Sequence, residues 1–426
     1  MRSLEVFYQD QCIGTLTEEG SAWQFTYTSG WINSGNSFDL SPALPKSAGT
    51  ILDGASLRPV QWYFDNLLPE EALRQVVAKE AGLTWEDSFG LLAHYGAESA
   101  GALVLKIPGD QADMKTGRRA LADETLNERI RHLPVASLQS ASPKRMSLAG
   151  AQHKMLVILE NGQLYEPEPG EPSTHILKPN HPGPGYAASV MNEYFTMRLA
   201  GAMGLEVPDV TLKYVPEPVY VVERFDRLRD QSGQVHRRHL VDTCQLLNKD
   251  RAFKYSGAHL ESLRHAVDLC RSRAAARLGL FRWIVFNVLL GNGDNHLKNI
   301  SFLVDHEGIR LAPAYDLLST AVYETSALAP ERKVWPDSEL AFTVNGRTRF
   351  RDVDYADLRA AGIALGLARK TVERELDRQI ASVLNTATKL FDRICNEHTT
   401  LVESSPDPVS ARRHWGIEQT VIRAIV

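Results

Sequence analysis

The order of two hydrophobic patterns along this chain constrains its fold more than any other feature. Short runs rich in β-branched and aromatic residues, which are typical of strands, occur before about residue 242. They lie at Val6–Tyr8, Trp23–Thr28, Ala102–Ile107, Met155–Glu160, His175–Leu177 and Val219–Glu223. Apolar residues at helical spacing dominate after that point, at His259–Arg271, Ala274–Leu290, Tyr355–Gly366 and Lys370–His398. Strands followed by helices, rather than a strict alternation of the two, predict an α+β protein with two lobes.

The same pattern suggests where the chain divides. Residues 1–108 are expected to be β-rich and to hold one helix at Leu57–Ala81, where apolar residues recur at helical spacing. The polar stretch Gly109–Glu128 predicts a linker or insert at the start of a second unit, residues 109–240. That unit includes a helix at Glu193–Met203, which Gly204 is expected to end. Residues 241–400 form the helical unit, and residues 401–426 are expected to be a peripheral tail.

Composition and charge exclude several classes of protein. With 43% hydrophobic and 23% charged residues, the chain is an ordinary globular protein rather than a disordered or fibrous one. A net charge of −5 argues against a surface devoted to nucleic acid. The cysteines lie far apart without a CxxC pair, which is typical of a reducing compartment. The chain starts without a secretion signal, and its most apolar stretch, Trp283–Leu290, is far shorter than the about 20 residues of a membrane span. We therefore expect a soluble, cytoplasmic protein without a membrane partner.

Two polar segments carry the residues that suggest chemistry. The segment GNGDNHLKNISFL follows an apolar helical pattern and supplies Asp294, His296, Lys298 and Asn299. The segment LAPAYDLLS places Asp316 after a predicted strand and turn. Phosphoryl transfer from ATP requires a group that orients the attacking hydroxyl, and oxygen ligands that hold Mg²⁺ against the phosphates. The Asp, the Asn five residues later and the Asp after a short hairpin meet this requirement as a set, although each one alone could be a turn former.

Three further segments could bind a nucleotide. In MSLAGAQHK, small residues before a predicted strand could let backbone N–H groups approach phosphates, although a hairpin turn explains the segment equally well. In THILKPN, Lys178 is either a solvent-facing lysine at a strand end or a phosphate contact that pairs with Glu193 on the next helix. The segment PVYVVERFDRL ends a buried strand where the β-rich and helical halves meet, and its backbone could hold an adenine.

In this order and spacing, the segments SLAGAQHK, THILKPN, VVERFDR, GNGDNHLKN and LAPAYD resemble the HipA family of serine/threonine kinases, the toxins of type II toxin–antitoxin systems. The resemblance runs from about residue 5 to about residue 400. Where the family usually has Gly after the catalytic Asp, this chain has Asn295, which is expected to be tolerated because Asn adopts left-handed backbone conformations more readily than most residues. The resemblance implies a two-lobed protein-kinase-like fold, with a β-rich N-terminal part, a kinase N-lobe at 109–240 and an all-helical C-terminal lobe at 241–400.

The resemblance also implies a site for ATP and Mg²⁺. Asp294 would be the general base, and Asn299 and Asp316 would be the magnesium ligands. The residues that would bind ATP are Ala149, Gly150, Ala151, Gln152, His153 and Lys154 over the phosphates, Lys178 at the phosphates, Glu223, Arg224 and Phe225 at the adenine hinge, and His296, Lys298, Asn299, Tyr315 and Asp316 in the catalytic and metal-binding loops. Ser147 matches the serine that such kinases phosphorylate on themselves to shut down.

The resemblance also implies a function and partners. The function would be that of an ATP-dependent protein serine/threonine kinase that acts as a toxin. The partners would be a protein substrate among the aminoacyl-tRNA synthetases, a small HipB-like helix-turn-helix antitoxin, and operator DNA bound through that complex. Two alternatives stay open: a kinase of the same fold for a lipid or small molecule, and a catalytically silent corepressor that binds antitoxin and DNA. The presence of Asp294, Asn299 and Asp316 favours an active enzyme, because a silent kinase usually lacks one of them.

Overall fold

The computed structural model describes residues 1–109, 115–140, 142, 150, 152–331 and 333–426. The N-terminal part forms the antiparallel sheet β4-β3-β2-β1-β5. Its strands are β1 (Arg2–Tyr8), β2 (Gln11–Glu19), β3 (Ala22–Tyr27), β4 (Thr50–Leu52) and β5 (Leu103–Lys106). Its helices are α1 (Ser29–Ile32), α2 (Pro59–Asp65), α3 (Glu71–Glu80) and α4 (Ser88–Tyr95). Alternate residues of β1, such as Leu4 and Val6, are buried, as a sheet with one covered face requires.

The prediction of a single helix at Leu57–Ala81 is wrong in one respect, because the structure has two helices there. The helix α2 ends at Asp65, and α3 begins at Glu71. Pro69 lies between them and cannot continue a helix, since its ring removes an N–H donor and clashes with the preceding turn. The break produces the connecting segment 66–70, which reaches the candidate site described below.

A second sheet carries the central strands of the molecule, in the order β10-β11-β9-β7-β8-β6. Its strands are β6 (Arg118–Ala120), β7 (Met155–Glu160), β8 (Gln163–Pro167), β9 (His175–Pro179), β10 (Val210–Tyr214) and β11 (Pro218–Glu223), and its helices are α5 (Asp123–Arg131) and α6 (Ser189–Ala202). The hairpin of β12 (Arg227–Arg229) and β13 (Val235–Arg237) follows. The helix α6 packs against β9, β10 and β11. The linker expected at Gly109–Glu128 is partly structured, because it contains β6 and the start of α5, with Leu121 and Leu126 buried.

The C-terminal part is built mainly of helices. Its helices are α7 (Thr243–Leu246), α8 (Leu260–Asp268), α9 (Arg273–Leu289), α10 (Tyr355–Ala364), α11 (Arg369–Glu403) and α12 (Pro408–Ile425), and its strands are β14 (His239–Asp242), β15 (Ser301–Asp305), β16 (Gly308–Leu311), β17 (Glu339–Val344) and β18 (Arg347–Arg349). The α+β class is confirmed, with a β-rich first half and helices at the C-terminal end. The lobe is not entirely helical, however, because β14-β15-β16 and β17-β18 form small sheets, the first of which flanks the polar loops.

The tail was expected to be peripheral, and this is wrong for most of it. The helix α12 packs against α6 and α11, and its residues Ala411, Val421 and Ile422 are fully buried. An apolar stripe on a terminal helix is enough to dock it on the core. Among the described residues, no helix has both the length and the apolar character needed to cross a membrane. The proposed unit boundaries at 108, 240 and 400 stay predictions.

Candidate active site

A cleft of about 1280 Å³ lies between the central sheet and the helical part of the chain. Residues of β9, β11 and α6 line one side, and the loops around β15 and β16 line the other. The connecting segment between α2 and α3 contributes Asn66, Leu67 and Glu70, and α3 contributes its first residue, Glu71. All three parts of the chain therefore meet at this cleft.

Lys178 lies on β9, and its ammonium group is buried between two carboxylates. Nζ donates to Oε1 of Glu193 at 2.7 Å and to Oδ1 of Asp316 at 2.5 Å. Burial disfavours the positive charge, but the two carboxylates outweigh this effect and raise the pKa of Lys178. The alternative of a solvent-facing lysine is therefore wrong. A cation paired with a glutamate of α6 faces the cleft.

Asp316 follows β16 and adopts a φ of 56°, in the left-handed region that Asp tolerates better than most residues other than Gly. Burial disfavours its negative charge, but Lys178 and Lys154 outweigh this and lower its pKa to about 2. The side chain is 31% exposed. Oδ1 accepts from Lys178, and the side chain lines the cleft. An ionised, partly exposed carboxylate therefore faces the cleft.

The loop that carries Asp294 is fixed on both sides by short-range contacts. The chain leaves α9 at Gly291, whose φ is 62° and where a Cβ would approach the Cβ of Ala321 to 2.5 Å. The side-chain oxygen of Asn292 then accepts from the Asp294 N–H at 3.0 Å, and its amide donates to the buried Asn287 at 2.6 Å. Asn287, a polar residue within the apolar helix α9, therefore has a structural role, because it anchors this loop.

The carboxylate of Asp294 lies at the cleft with one side-chain partner in the described part of the chain. The hydroxyl of Tyr255 donates to Oδ1 at 2.6 Å. Burial raises the pKa of Asp294 above its ordinary value. A carboxylate that is more basic than usual and open to a cleft can take a proton from a hydroxyl group.

Asn299 and Asp316 together fit a magnesium ion. The Nδ2 group of Asn299 donates to the carbonyl of Asp294 at 2.7 Å, which fixes the orientation of the amide. The side chains of Asn299 and Asp316 both line the cleft. Mg²⁺ prefers hard oxygen donors and takes few of them from the protein, because phosphates and water complete its octahedron.

The expected phosphate loop is described only in part. Two of its residues and the expected autophosphorylation serine lie outside the described residues: Ala149, Ala151 and Ser147. Gly150 has a φ of 106°, and a Cβ there would lie 2.7 Å from Nζ of Lys154, so this position requires glycine. Burial and the neighbouring Lys178 lower the pKa of Lys154 to about 8. Gly150, Gln152 and Lys154 line the cleft, whereas His153 is buried away from it.

The expected hinge follows β11. Glu223, Arg224 and Phe225 all line the cleft. The guanidinium of Arg224 is buried and uses all five N–H donors on Glu98, Ser99, Ser173 and Asp226. Its side chain therefore fixes the hinge, and only backbone groups remain to contact a base. The ring of Phe225 lies 5.6 Å from that of Tyr315, which closes this end of the cleft.

Lys298 and Tyr315 join the two polar loops. Nζ of Lys298 donates to the carbonyl and the side-chain oxygen of Asn66, at 2.9 and 2.7 Å, and to Asp242 at 2.8 Å. All three ammonium donors are therefore used inside the protein. The hydroxyl of Tyr315 donates to the Lys298 carbonyl at 2.6 Å. His296 lies edge-on to Tyr255, and burial lowers its pKa, which favours the neutral form of the ring.

Of the predicted site residues that the structure describes, all except His153 line one cleft. The reasoning about Asn295 is wrong, because its φ is not positive. Its amide is instead buried without a hydrogen-bond partner in the described ranges. Sequence reasoning missed Tyr255, Lys254, Asn66, Glu70 and Asp242. None of them belongs to a recognisable motif, and Asn66 and Glu70 come from the N-terminal part, so only the fold brings them to the cleft.

Comparisons with known proteins cover nearly the whole chain. Two family models match, the HipA N-terminal domain at residues 4–106 and the HipA-like C-terminal domain at residues 146–388. Y4mE of Sinorhizobium fredii, whose name describes a candidate kinase, is 35% identical over 92% of this chain and 94% of its own length. The serine/threonine-protein kinase toxin HipA of Shewanella oneidensis is 32% identical over 76% of each chain. A solved Shewanella oneidensis complex of HipA, HipB and operator DNA matches with a TM-score of 0.75 at 26% identity, over 99% of this chain and 96% of that chain.

Proposed function

This chain belongs to the HipA family, and we propose that it is an ATP- and Mg²⁺-dependent protein serine/threonine kinase that acts as the toxin of a toxin–antitoxin pair. One observation carries the proposal. A basic carboxylate (Asp294), two oxygen donors (Asn299 and Asp316) and a buried cation (Lys178) converge on one cleft. These are the parts that phosphoryl transfer requires, since it depends on positioning and charge more than on covalent help from the protein.

In the proposed reaction, the hydroxyl oxygen of a Ser or Thr in the substrate bonds to the γ-phosphorus of ATP. The bond from that phosphorus to the ADP oxygen breaks, and the hydroxyl proton passes to Asp294. Lys178 and Lys154 supply positive charge where the phosphates lie, and Asn299 and Asp316 would hold Mg²⁺. The metal, when bound, offsets the negative charge of the phosphates. The backbone after β11 and the ring of Phe225 form the wall for adenine.

The finer parts of the proposal concern substrate, control and partners. We propose that the acceptor is an aminoacyl-tRNA synthetase and that phosphorylation of Ser147 by the chain itself switches it off. We also propose that a HipB-like helix-turn-helix antitoxin binds the chain and brings it to operator DNA. The similarity of nearly the whole chain to the HipA of a solved HipA–HipB–operator complex supports the partners. Co-purification of a tagged chain with such a protein, and a gel shift with DNA upstream of its gene, test them.

The kinase proposal is tested by transfer from γ-labelled ATP to proteins of a cell extract. We expect the wild type to label protein only with Mg²⁺ present, and Asp294→Asn to lose about 10²- to 10⁴-fold in rate, because it lacks the base. Asp392→Asn, an exposed acid on α11 that does not line the cleft, is the matched control and should label like the wild type. In cells, Asp294→Asn should permit growth where the wild type stops it. Equal labelling by wild type and Asp294→Asn would contradict the proposal, and label confined to lipids or small molecules would favour the alternative kinase class.

A further inference from the structure

The N-terminal part of the chain contacts the phosphate loop at Gly150, within the described part of that loop. Pro69 and Gly150 form a parallel β-bridge, and the N–H of Glu70 donates to the Gly150 carbonyl at 3.2 Å. Gly150 is the glycine that the proposed function places over the ATP phosphates. The backbone at Gly150 is therefore held by the segment between α2 and α3.

The side chain of Glu70 contacts two lysines next to the catalytic loop, Lys254 and Lys298. Oε2 accepts from Nζ of Lys254 at 2.7 Å, and Oε1 lies 3.4 Å from Nζ of Lys298. Glu70 is 4% exposed. Burial opposes its charge, but Lys298 and Lys254 outweigh this and lower its pKa to about 2, so the contact is between full charges.

The backbone of Lys254 in turn contacts the catalytic loop. Its carbonyl accepts from the Leu297 N–H at 3.1 Å. The next residue is Tyr255, whose hydroxyl donates to Asp294 at 2.6 Å. A continuous set of short contacts thus joins the loop expected to hold the phosphates to the carboxylate expected to take the proton.

We propose that Glu70 is a positioning residue of the phosphoryl-transfer site, which holds the phosphate loop and the catalytic loop at a fixed separation through Gly150 and Lys254. This inference rests on the proposed kinase function and gives the N-terminal part a role in it. Glu70 acts through other residues rather than on the reacting atoms. The γ-phosphate and the acceptor hydroxyl must meet in a narrow geometry, and a misplacement of about 1 Å can cost roughly 100-fold in rate.

The test compares Glu70→Gln with Glu86→Gln in the full chain. Glutamine at 70 keeps the shape and the backbone bond to Gly150 but removes the charge. We expect the transfer rate at saturating MgATP to fall roughly 10- to 100-fold, while the ATP concentration at half-maximal rate changes less than about 3-fold. Glu86 is an exposed acid between α3 and α4 and does not line the cleft. Glu86→Gln should therefore stay within about 2-fold of the wild type.

A double-mutant cycle with Lys254→Met separates coupling from general damage. If Glu70 acts through Lys254, the double variant should be no slower than the slower single variant. Glu70→Asp, which keeps the charge, should recover part of the rate. A Glu70→Gln rate equal to that of the wild type would overturn the inference. So would a loss matched by an equal rise in the half-saturating ATP concentration, or losses that multiply in the double variant.

Amide hydrogen exchange tests the same contact without an activity. In Glu70→Gln, the Leu297 N–H should exchange roughly 10-fold faster than in wild type and in Glu86→Gln, because its acceptor is on Lys254. Unchanged exchange would overturn the positioning role. If the wild type transferred no phosphate at all, the kinase proposal would fail, while the exchange result would still decide whether Glu70 holds the loop.

Discussion

The carboxyl group of Glu418 should make the stability of this protein fall as pH rises. Glu418 lies on α12, is 1% exposed and accepts from the hydroxyl of Tyr214 at 2.6 Å, while its Oε1 has no hydrogen-bond partner in the described part of the chain. Burial raises its pKa from 4.5 to about 7. Because each tenfold change in proton affinity is worth about 1.4 kcal/mol, this rise corresponds to about 3 kcal/mol of unfolding free energy.

The sign follows from which state binds the proton more tightly. Here it is the folded state, so this contribution is fully present below pH 4.5, the ordinary value for Glu, and is lost as pH rises through about 7. The neighbouring His398 has the opposite effect, because burial lowers its pKa from 6.5 to about 4 and its contribution is lost as pH falls through that range. A comparison of wild type with Glu418→Gln cancels the His398 contribution, since both proteins contain it.

Glu418→Gln stays neutral at every pH and keeps an acceptor for Tyr214. We expect its unfolding free energy to gain about 2 to 3 kcal/mol relative to wild type between pH 5 and pH 8.5, measured by urea unfolding at both values. The matched control is Glu403→Gln, an exposed acid at the end of α11, whose stability should follow the wild type. Parallel pH profiles for Glu418→Gln and wild type would refute the reasoning and would mean that water reaches this carboxyl group.

Three further predictions concern the site. Asp316→Asn should abolish transfer and remove the Mg²⁺ dependence of ATP binding, because the variant lacks the charge that holds the metal. ATP binding is measured by titration with a fluorescent ATP analogue, and a full transfer rate would show that the metal assignment is wrong. Tyr255→Phe should lower the rate at saturating ATP roughly 10-fold with ATP affinity unchanged, because Asp294 loses its side-chain donor; a faster enzyme would show that the phenol blocks the acceptor site instead. Incubation with MgATP should add phosphate at Ser147, which is detected by intact mass and should be absent in Ser147→Ala. The modification should weaken ATP binding, because phosphoserine carries about −1.5 to −2 charges. An unchanged ATP affinity with Ser147 modified would contradict this switch.

Sequence reasoning succeeded where the relevant residues are close together in the chain. The strands around Lys178 and the loop from Asp294 to Asn299 were predictable, because each is a contiguous segment with its own periodicity or motif. The pairing of Lys178 with Glu193 also followed from adjacent elements. The burial of Lys178 distinguishes a lysine in the cleft from a solvent-facing one. Burial is a property of the folded chain, and the pattern of a single strand does not predict it. The docking of α12 was missed for the same reason, because an amphipathic tail does not reveal its partner.

The residues that sequence reasoning missed are those that cross between parts of the chain. Asn66 and Glu70 reach Lys298 and Lys254 from the N-terminal part, and no motif relates positions so far apart. The break at Pro69 that places them at the cleft was visible in the sequence, but the contacts it allows were not. Contacts of this kind depend on how separate units pack, which local propensity and spacing do not encode.

Buried ion pairs join the N-terminal part to the parts of the chain that form the cleft. At the hinge end of the cleft, Glu98 is fully buried and pairs with Arg224, Arg227 and Arg237. At the other end, Asn66 accepts two of the three hydrogen bonds from Lys298.

Removing one partner of a buried ion pair typically costs about 3 to 5 kcal/mol, because the remaining charge cannot regain water. Without residues 1–108, the arginines at the hinge end would lose Glu98 and Lys254 would lose Glu70, while Asp226 and Asp242 would still pair with Arg224 and Lys298. In this chain, the region matched by the HipA N-terminal domain therefore supplies acids that compensate buried cations around the cleft of the region matched by the HipA-like C-terminal domain.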